Sequence, residues 1–192
     1  GGILIGGQGE TCSCVAFHYP IFLTGRDNGE ITYFNLQSKI RKVLQAHVDG
    51  ILSLFYHYED FHNIYLLSSG RDNKIYVWKQ ASMELEPDPV KAAFYQIQEL
   101  DHPDYVTSIQ YNRINRQIFG STSEGEIVIW ATMGLDNVLY GQKVNIGAHV
   151  AEILTMCVTT GYIITGAADN VARVFNMNGR RTANLTGHHS PV

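Results

Sequence analysis

A pattern that recurs four times along the chain is the feature that most limits how it can fold. Each copy ends on an aromatic residue after alternating apolar positions, and a turn-forming or acidic residue stands six positions before it. The aromatic residues are Phe34, Trp78, Trp130 and Phe175, spaced by 44, 52 and 45 residues. A repeat of this length is one supersecondary unit that buries its apolar face against neighbouring units. The sequence therefore predicts a repeat architecture.

The segments between turn signals are short and rich in Val, Ile, Tyr and Phe, which is typical of β-strands. No window of about a dozen residues keeps the apolar stripe of a helix, with its period of ~3.6 residues. The sequence therefore predicts an all-β fold. The main predicted strands are residues 11–17, 21–24, 30–34, 51–56, 64–68, 74–78, 105–111, 117–120, 126–130, 153–158, 162–165 and 171–175.

Composition narrows the class of protein. A formal net charge of −4 argues against nucleic acid as a partner, because it gives no overall attraction to phosphate. No apolar run is long enough to span a bilayer, and we expect no signal peptide. Three cysteines argue against a disulfide framework. We predict an intracellular and cytoplasmic protein, with a cytoskeletal, ciliary or nuclear location left open.

The repeats resemble those of the WD-repeat β-propeller family, which have about 40–45 residues and four strands per blade. A small or polar residue followed by His precedes three of the copies, as in that family. The Trp-Asp dipeptide of the family is absent, although its Asp is often replaced. The four copies read Phe34-Asn35, Trp78-Lys79, Trp130-Ala131 and Phe175-Asn176.

The resemblance implies a buried structural network of His, Ser or Thr, Asp and Trp in each blade. Polar groups packed between blades need partners, and an imidazole between a carboxylate and a hydroxyl satisfies both of its nitrogens. The first copy lacks the set, with Gly6–Gln8 at the His position, Asn28 for Asp and Phe34 for Trp. The third has Gly120 in the hydroxyl position. The expected members are His47, Ser68, Asp72 and Trp78; His102, Glu124 and Trp130; and His149, Thr165 and Asp169.

The same resemblance sets the expected domain organisation. It places full blades at about 10–46, 47–101, 102–147 and 148–187, with an acidic insertion at 81–94. Residues 3–5 would belong to a preceding blade, and 188–192 would open another. Rings of this family most often have about seven blades, within the ~4–8 of propellers in general. We therefore expect residues 1–192 to be part of a longer propeller, with a closed four-bladed ring as the alternative.

The residues give little sign of catalysis. Cys12 and Cys14 share one strand face and could bind a metal together with Cys157, but the chain has no second Cys pair. Buried free thiols are the favoured interpretation. No phosphate-binding loop or nucleophile elbow occurs. We expect no cofactor, no metal and no enzyme activity.

The favoured function is a non-catalytic scaffold that binds other proteins within a multi-subunit assembly, besides the remaining blades of its own propeller. The alternative is a ligand-reading module that takes a peptide, a modified side chain or nucleic acid at the narrow end of the propeller. A catalytic domain elsewhere in a longer chain is a third hypothesis. In this family, loops at one end of the ring contact partners, which points to Arg71, Asp49, Asp104, Tyr105, Ser123 and Glu152. The competing interpretation of Arg71 is structural, namely that it forms an ion pair with Asp49.

Overall fold

The computed structural model describes residues 11–60, 62–81 and 94–192, and within these ranges it contains strands and turns but no helix. The all-β prediction is confirmed. No helix in the described part of the chain is long and apolar enough to cross a membrane. The predicted strand at 3–5, the Gly6–Gln8 segment and nearly all of the insertion lie outside the described residues. 

The chain forms sixteen strands, four for each copy of the repeat. In chain order they are β1 (Cys12–His18), β2 (Ile21–Arg26), β3 (Glu30–Asn35), β4 (Arg41–Gln45), β5 (Ile51–Asp60), β6 (Asn63–Gly70), β7 (Lys74–Gln80), β8 (Phe94–Asp101), β9 (Val106–Asn112), β10 (Gln117–Thr122), β11 (Glu126–Thr132), β12 (Val138–Gly147), β13 (Ile153–Val158), β14 (Tyr162–Ala167), β15 (Ala172–Asn176) and β16 (Arg181–Leu185).

Consecutive strands pair antiparallel to give four sheets of four strands each. Sheet 1 is β1–β4, sheet 2 is β5–β8, sheet 3 is β9–β12 and sheet 4 is β13–β16. In every sheet the spatial order of the strands is their order in the chain. Such meanders need only short connections, because each strand pairs with the next one along the chain. The observed order agrees with the predicted succession of propeller blades.

The turn between the second and third strands has the same backbone shape in all four sheets. The third residue after the second strand has a positive φ, and these residues are Gly29, Asn73, Gly125 and Asn170 with φ of 81°, 62°, 82° and 62°. Gly and Asn adopt this left-handed conformation at the lowest cost. In sheets 1 and 3 there is also no room for a side chain, because a Cβ would lie 2.1–2.4 Å from the carbonyl oxygen of the next histidine.

The chain divides into two compact units between Asp101 and His102, each with a core between its own two sheets. Aliphatic side chains from the second and third strands of one sheet pack against the first strands of the next. The first core includes Leu23, Ile31, Ile51 and Leu66, with Trp78 at one side. The second includes Phe119, Ile127, Ile153 and Ile163, with Phe175.

One hydroxyl joins the two sheets at the same place in each unit. Ser13 Oγ lies 2.5 Å from the carbonyl oxygen of Ile51 in the first unit. Thr107 Oγ1 lies 2.5 Å from the carbonyl oxygen of Ile153 in the second. Each hydroxyl also reaches a carbonyl of its own sheet, at 3.2 and 3.1 Å. The first strands of neighbouring sheets are therefore held together by polar contacts as well as apolar packing.

The two units differ farther along these first strands. In the second unit, Gln110 Nε2 donates to the Met156 carbonyl oxygen and Gln110 Oε1 accepts from the Val158 N–H, both at 2.8 Å. In the first unit, the ring of His18 instead stacks on Tyr56 and Tyr58, with centroids 5.4 and 5.5 Å apart. Amides thus link the sheets of one unit where aromatic rings do so in the other.

Candidate functional site

The histidine that precedes sheet 2 lies at the centre of a buried hydrogen-bond network. His47 is 2% exposed, and its Nδ1 lies 2.9 Å from Asp72 Oδ1. Its Nε2 lies 2.8 Å from Ser68 Oγ, which accepts a hydrogen bond of 2.9 Å from Trp78 Nε1. Asp72 also accepts from the N–H of Val48 at 3.2 Å. The structure therefore brings together all four residues expected in the second copy.

The donors of this network follow from its chemistry. The Ser68 oxygen accepts from the indole, so its own hydrogen points to His47 Nε2. His47 Nδ1 then carries the ring hydrogen and donates it to Asp72. Burial lowers the pKa of His47, although the hydrogen bond to Asp72 opposes this shift. The imidazole is consequently neutral, with both nitrogens bonded.

A variant of this network surrounds the histidine that precedes sheet 4. His149 Nδ1 lies 3.0 Å from both Asp169 oxygens, and His149 Nε2 lies 2.7 Å from Thr165 Oγ1. Phe175 has no N–H to donate, and Arg173 joins the network instead by contacting His149 Nδ1 and donating to Asp169 at 2.5 Å. Burial alone would raise the pKa of Asp169, but hydrogen bonds from Arg173 and His149 lower it to about 2. The spacing of the sequence repeats does not predict that Arg173 joins this network.

The third copy differs from its predicted arrangement. His102 is buried, but its Nδ1 contacts the backbone N–H and carbonyl of Asp104 at 3.1 and 3.2 Å. Glu124 is exposed and does not reach the ring, so the prediction of a His102–Glu124 contact is wrong. His102 Nε2 has no hydrogen-bond partner among the described residues.

Gly120 explains this difference. A Cβ at Gly120 would lie 2.9 Å from Trp130 Cζ3, so the indole occupies the space that a Ser or Thr side chain would fill. The rings of His102 and Trp130 meet edge to face at a centroid distance of 6.2 Å. Aromatic packing therefore replaces the hydroxyl contact that the second and fourth copies use.

The residues expected to bind partners lie at the end of the sheets where the chain enters each first strand. The first residue after the second strand of a sheet donates its N–H to the loop that leads into the first strand of the same sheet. Arg71 donates to Gly50 at 2.8 Å, Ser123 to Tyr105 at 2.9 Å and Ala168 to Glu152 at 2.9 Å. In sheet 1, Asp27 donates to Thr11 at a longer 3.4 Å, so equivalent hydrogen bonds fix the backbone at this position in all four sheets.

Their side chains remain accessible. Arg71, Asp49 and Glu152 are exposed, and Tyr105 is 45% exposed. Asp104 and Ser123 are half-buried. Asp49 bonds to the Gly50 N–H at 2.6 Å, and no ion pair joins it to Arg71, although both side chains are described. The competing structural role of Arg71, an ion pair with Asp49, is therefore not observed.

The cysteines form no cluster with metal-binding geometry, since no group of three His, Cys, Asp or Glu side chains in the described ranges could hold an ion. Cys14 is partly buried against Gly25 and Ile51, and burial raises the pKa of its thiol to about 11. Cys12 and Cys157 are exposed, so the expectation of buried thiols is wrong for these two. Both lie on first strands whose faces are only partly covered by the described residues.

Comparison with known families identifies the repeat. A family model described as the WD domain, G-beta repeat, matches residues 38–79, which include β4 to β6, all but the last residue of β7, and the network around His47. Residues 38–79 are thus a WD repeat. A search of curated proteins found no match. WD repeats generally mediate protein–protein interactions and scaffolding, and WD-repeat propellers are generally non-catalytic.

Proposed function

We propose that this WD-repeat protein is a non-catalytic scaffold that binds other proteins within a multi-subunit assembly. The partner surface is the end of the sheets that carries Arg71 and Asp49 in the first unit. In the second unit it carries Asp104, Tyr105, Ser123 and Glu152. The observation that supports it best is the set of equivalent backbone hydrogen bonds at Arg71, Ser123 and Ala168, which fix the backbone and leave side chains accessible.

Physical chemistry supports this surface as a contact site. Arg and Tyr are enriched among the residues that dominate binding energy, because each combines a large contact area with directed hydrogen bonds. A backbone that is already ordered loses less entropy on association. The residue types that could suggest catalysis, His47 with Ser68 and Asp72, are buried and mutually bonded, so they support a structural role.

A double substitution tests the surface. Arg71→Ala with Tyr105→Ala should reduce partner capture from a lysate of the source cells at least tenfold, measured by quantitative mass spectrometry, with an unchanged melting temperature. Tyr95→Ala with Arg180→Ala is the matched control, because both residues are exposed elsewhere on the sheets. Equal recovery of partners by the two variants would show that binding uses another face.

We also propose that the four sheets are blades of a larger propeller, with bounds near 10–46, 47–101, 102–147 and 148–187. Apolar side chains on one face of sheet 1 and one face of sheet 4 support this proposal, because blades of a propeller cover one another. Val15 and Phe17 are 53% and 58% exposed, and Tyr162 and Leu185 are 52% and 51% exposed. Patches of this kind usually mark an interface.

Light scattering and calorimetry test the larger propeller. Residues 1–192 alone should self-associate and bind a hydrophobic dye, because these faces lack their neighbouring blades. Phe17→Asn with Leu185→Asn should reduce the self-association. A sharply melting monomer that binds no dye would favour the closed four-bladed ring.

A further inference from the structure

A cavity of about 360 Å³ lies within the first unit, between sheets 1 and 2. It is within the ~300–1,000 Å³ range of small-molecule sites. Its lining comes from the ends of β1, β3, β5 and β7 and the starts of β2 and β6. These strand ends lie opposite the loops that carry Arg71 and Asp49. The cavity is therefore separate from the surface assigned to protein partners.

Aromatic rings provide half of the lining. They are His18, Tyr19, Tyr33, Tyr56 and Tyr58, and the remaining residues are aliphatic or carry amides. The rings come from three strands and one turn. Tyr19 is 64% exposed and Tyr58 is 38% exposed, whereas Tyr33 and Tyr56 are more buried. The cavity thus has aromatic side chains both at its base and at its rim.

The ten described lining residues include no Lys, Arg, Asp or Glu, which disfavours strongly anionic ligands. Phosphate and carboxylate groups are bound most strongly by cationic side chains, above all by Arg. Burial raises the pKa of both Tyr33 and Tyr56, and the neighbouring Tyr33 and Tyr58 hydroxyls raise that of Tyr56 further. A negative charge in this cavity is therefore unfavourable, and the ring π-systems favour a positive one.

The hydrogen-bonding capacity of the lining decides which kind of cation fits. Asn35 Oδ1 already accepts from the N–H groups of Gln37 and Ser38 at 2.9 and 3.0 Å. The side chains of Asn35 and Gln80 oppose the effect of burial on the pKa of the Tyr33 hydroxyl. The Gln80 Oε1 atom is buried and has no hydrogen-bond partner among the described residues, so it is one free acceptor. Primary ammonium and guanidinium groups carry three or more N–H donors, which one amide acceptor does not satisfy, and the ten lining residues include no carboxylate.

We propose that this cavity binds a quaternary ammonium group, a cation that has no N–H to satisfy and is weakly hydrated. The trimethylammonium group would lie among the rings of Tyr33, Tyr56 and Tyr58, stabilised by cation–π attraction. His18, stacked on Tyr56 and Tyr58, keeps these two rings in position. The net charge of −4 adds a weak long-range attraction for a cation. The same chemistry occurs in choline compounds and in trimethyllysine side chains.

Ligand-observed NMR with choline chloride tests the proposal on the whole chain, because this method tolerates self-association of the protein. We expect saturable binding in the millimolar range. Choline should bind about tenfold more tightly than its neutral isostere, in which a tert-butyl group replaces trimethylammonium. Equal affinity for the two compounds, or no saturable choline binding, would overturn the proposal.

Substitutions locate the site. Tyr58→Leu should weaken choline binding at least fivefold, whereas Tyr58→Phe, which keeps the ring, should retain it. Tyr19→Leu provides a second rim variant if Tyr58→Leu does not fold. Tyr95→Ala is the matched control, since Tyr95 is an exposed tyrosine of the same unit outside the cavity. Undiminished binding in both rim variants would refute this location.

Competition distinguishes the two sources of the group. The acetylated amide of trimethyllysine should displace choline. A higher affinity of the cavity for this amide than for choline would indicate a protein ligand, and a lower affinity would indicate a free choline compound. The amide of unmethylated lysine should compete at least tenfold less well than that of trimethyllysine. Equal competition by the two amides would contradict the selection against N–H donors.

Discussion

Replacing Asp72 gives the most direct test of the network in sheet 2. The Asp72 side chain is 5% exposed, and it accepts hydrogen bonds from the buried His47 ring and from two backbone N–H groups. Asp72→Ala removes the carboxylate partner of the His47 Nδ1–H, in a ring whose side chain is 0% exposed. An unsatisfied buried donor costs about 1–3 kcal/mol, which is the expected loss of unfolding free energy.

Asn28 provides the matched control, because it holds the same repeat position in sheet 1 and is exposed. Its side chain accepts a hydrogen bond of 3.1 Å from the Glu30 N–H, next to solvent. Asn28→Ala should therefore change the unfolding free energy by no more than about 0.5 kcal/mol.

Urea unfolding of dilute protein measures both variants. A Trp130→Phe background leaves Trp78 as the fluorescent reporter of the first unit. Asp72→Asn, which keeps one oxygen acceptor, should recover part of the loss. Equal destabilisation by Asp72→Ala and Asn28→Ala would refute the view that a buried, bonded carboxylate stabilises sheet 2.

Three further predictions concern other parts of the chain. Gly120→Ser should destabilise the second unit by about 1–3 kcal/mol in urea, because its Cβ would clash with Trp130; a gain in stability would contradict this. Gln110→Leu should cost about 1–3 kcal/mol in the same assay, since it leaves two backbone groups of β13 unbonded, whereas the exposed Ile114→Ala should cost little. Burial lowers the pKa of His47 below its usual 6.5 in the folded chain. As the pH falls, His47 is therefore protonated in the unfolded chain before it is protonated in the folded chain, which favours unfolding. The stability of the first unit should therefore decrease below pH 6.5, as measured by Trp78 fluorescence, and His47→Gln should flatten this dependence.

Much of the fold follows from the sequence, because alternation and turn residues act locally. The all-β class required only strand periodicity, and the four strands of each sheet were implied by the resemblance to WD-repeat propellers. The meeting of His47 with Asp72 was also predicted, because the resemblance to WD repeats implies it. Strand lengths were less predictable, and β5 runs to Asp60, four residues beyond the predicted end at residue 56. Pairing with β6 extends it.

The third network could not be predicted from residue types. Glu124 has a carboxylate at the right position in the sequence, but the lack of a hydroxyl at Gly120 lets Trp130 move over the strand. His102 then bonds to Asp104 instead. Contacts between sheets were also missed. Gln110 contacts β13, which lies more than 40 residues later in the chain. The equivalent residue of the first unit is Ala16, so the repeats share no residue type at this position from which the contact could be predicted.

The position of His47 has a consequence for how the first unit unfolds. Its backbone N–H bonds to Gly29 in sheet 1 at 3.0 Å, while its ring bonds to Asp72 and Ser68 in sheet 2. His149 makes the same two attachments between sheets 3 and 4. Within each unit a sheet therefore cannot open without releasing a residue that the other sheet also holds, which couples the opening of the two sheets. The amide hydrogens of His47 and His149 should thus exchange with solvent through the joint opening of two sheets rather than through local fraying.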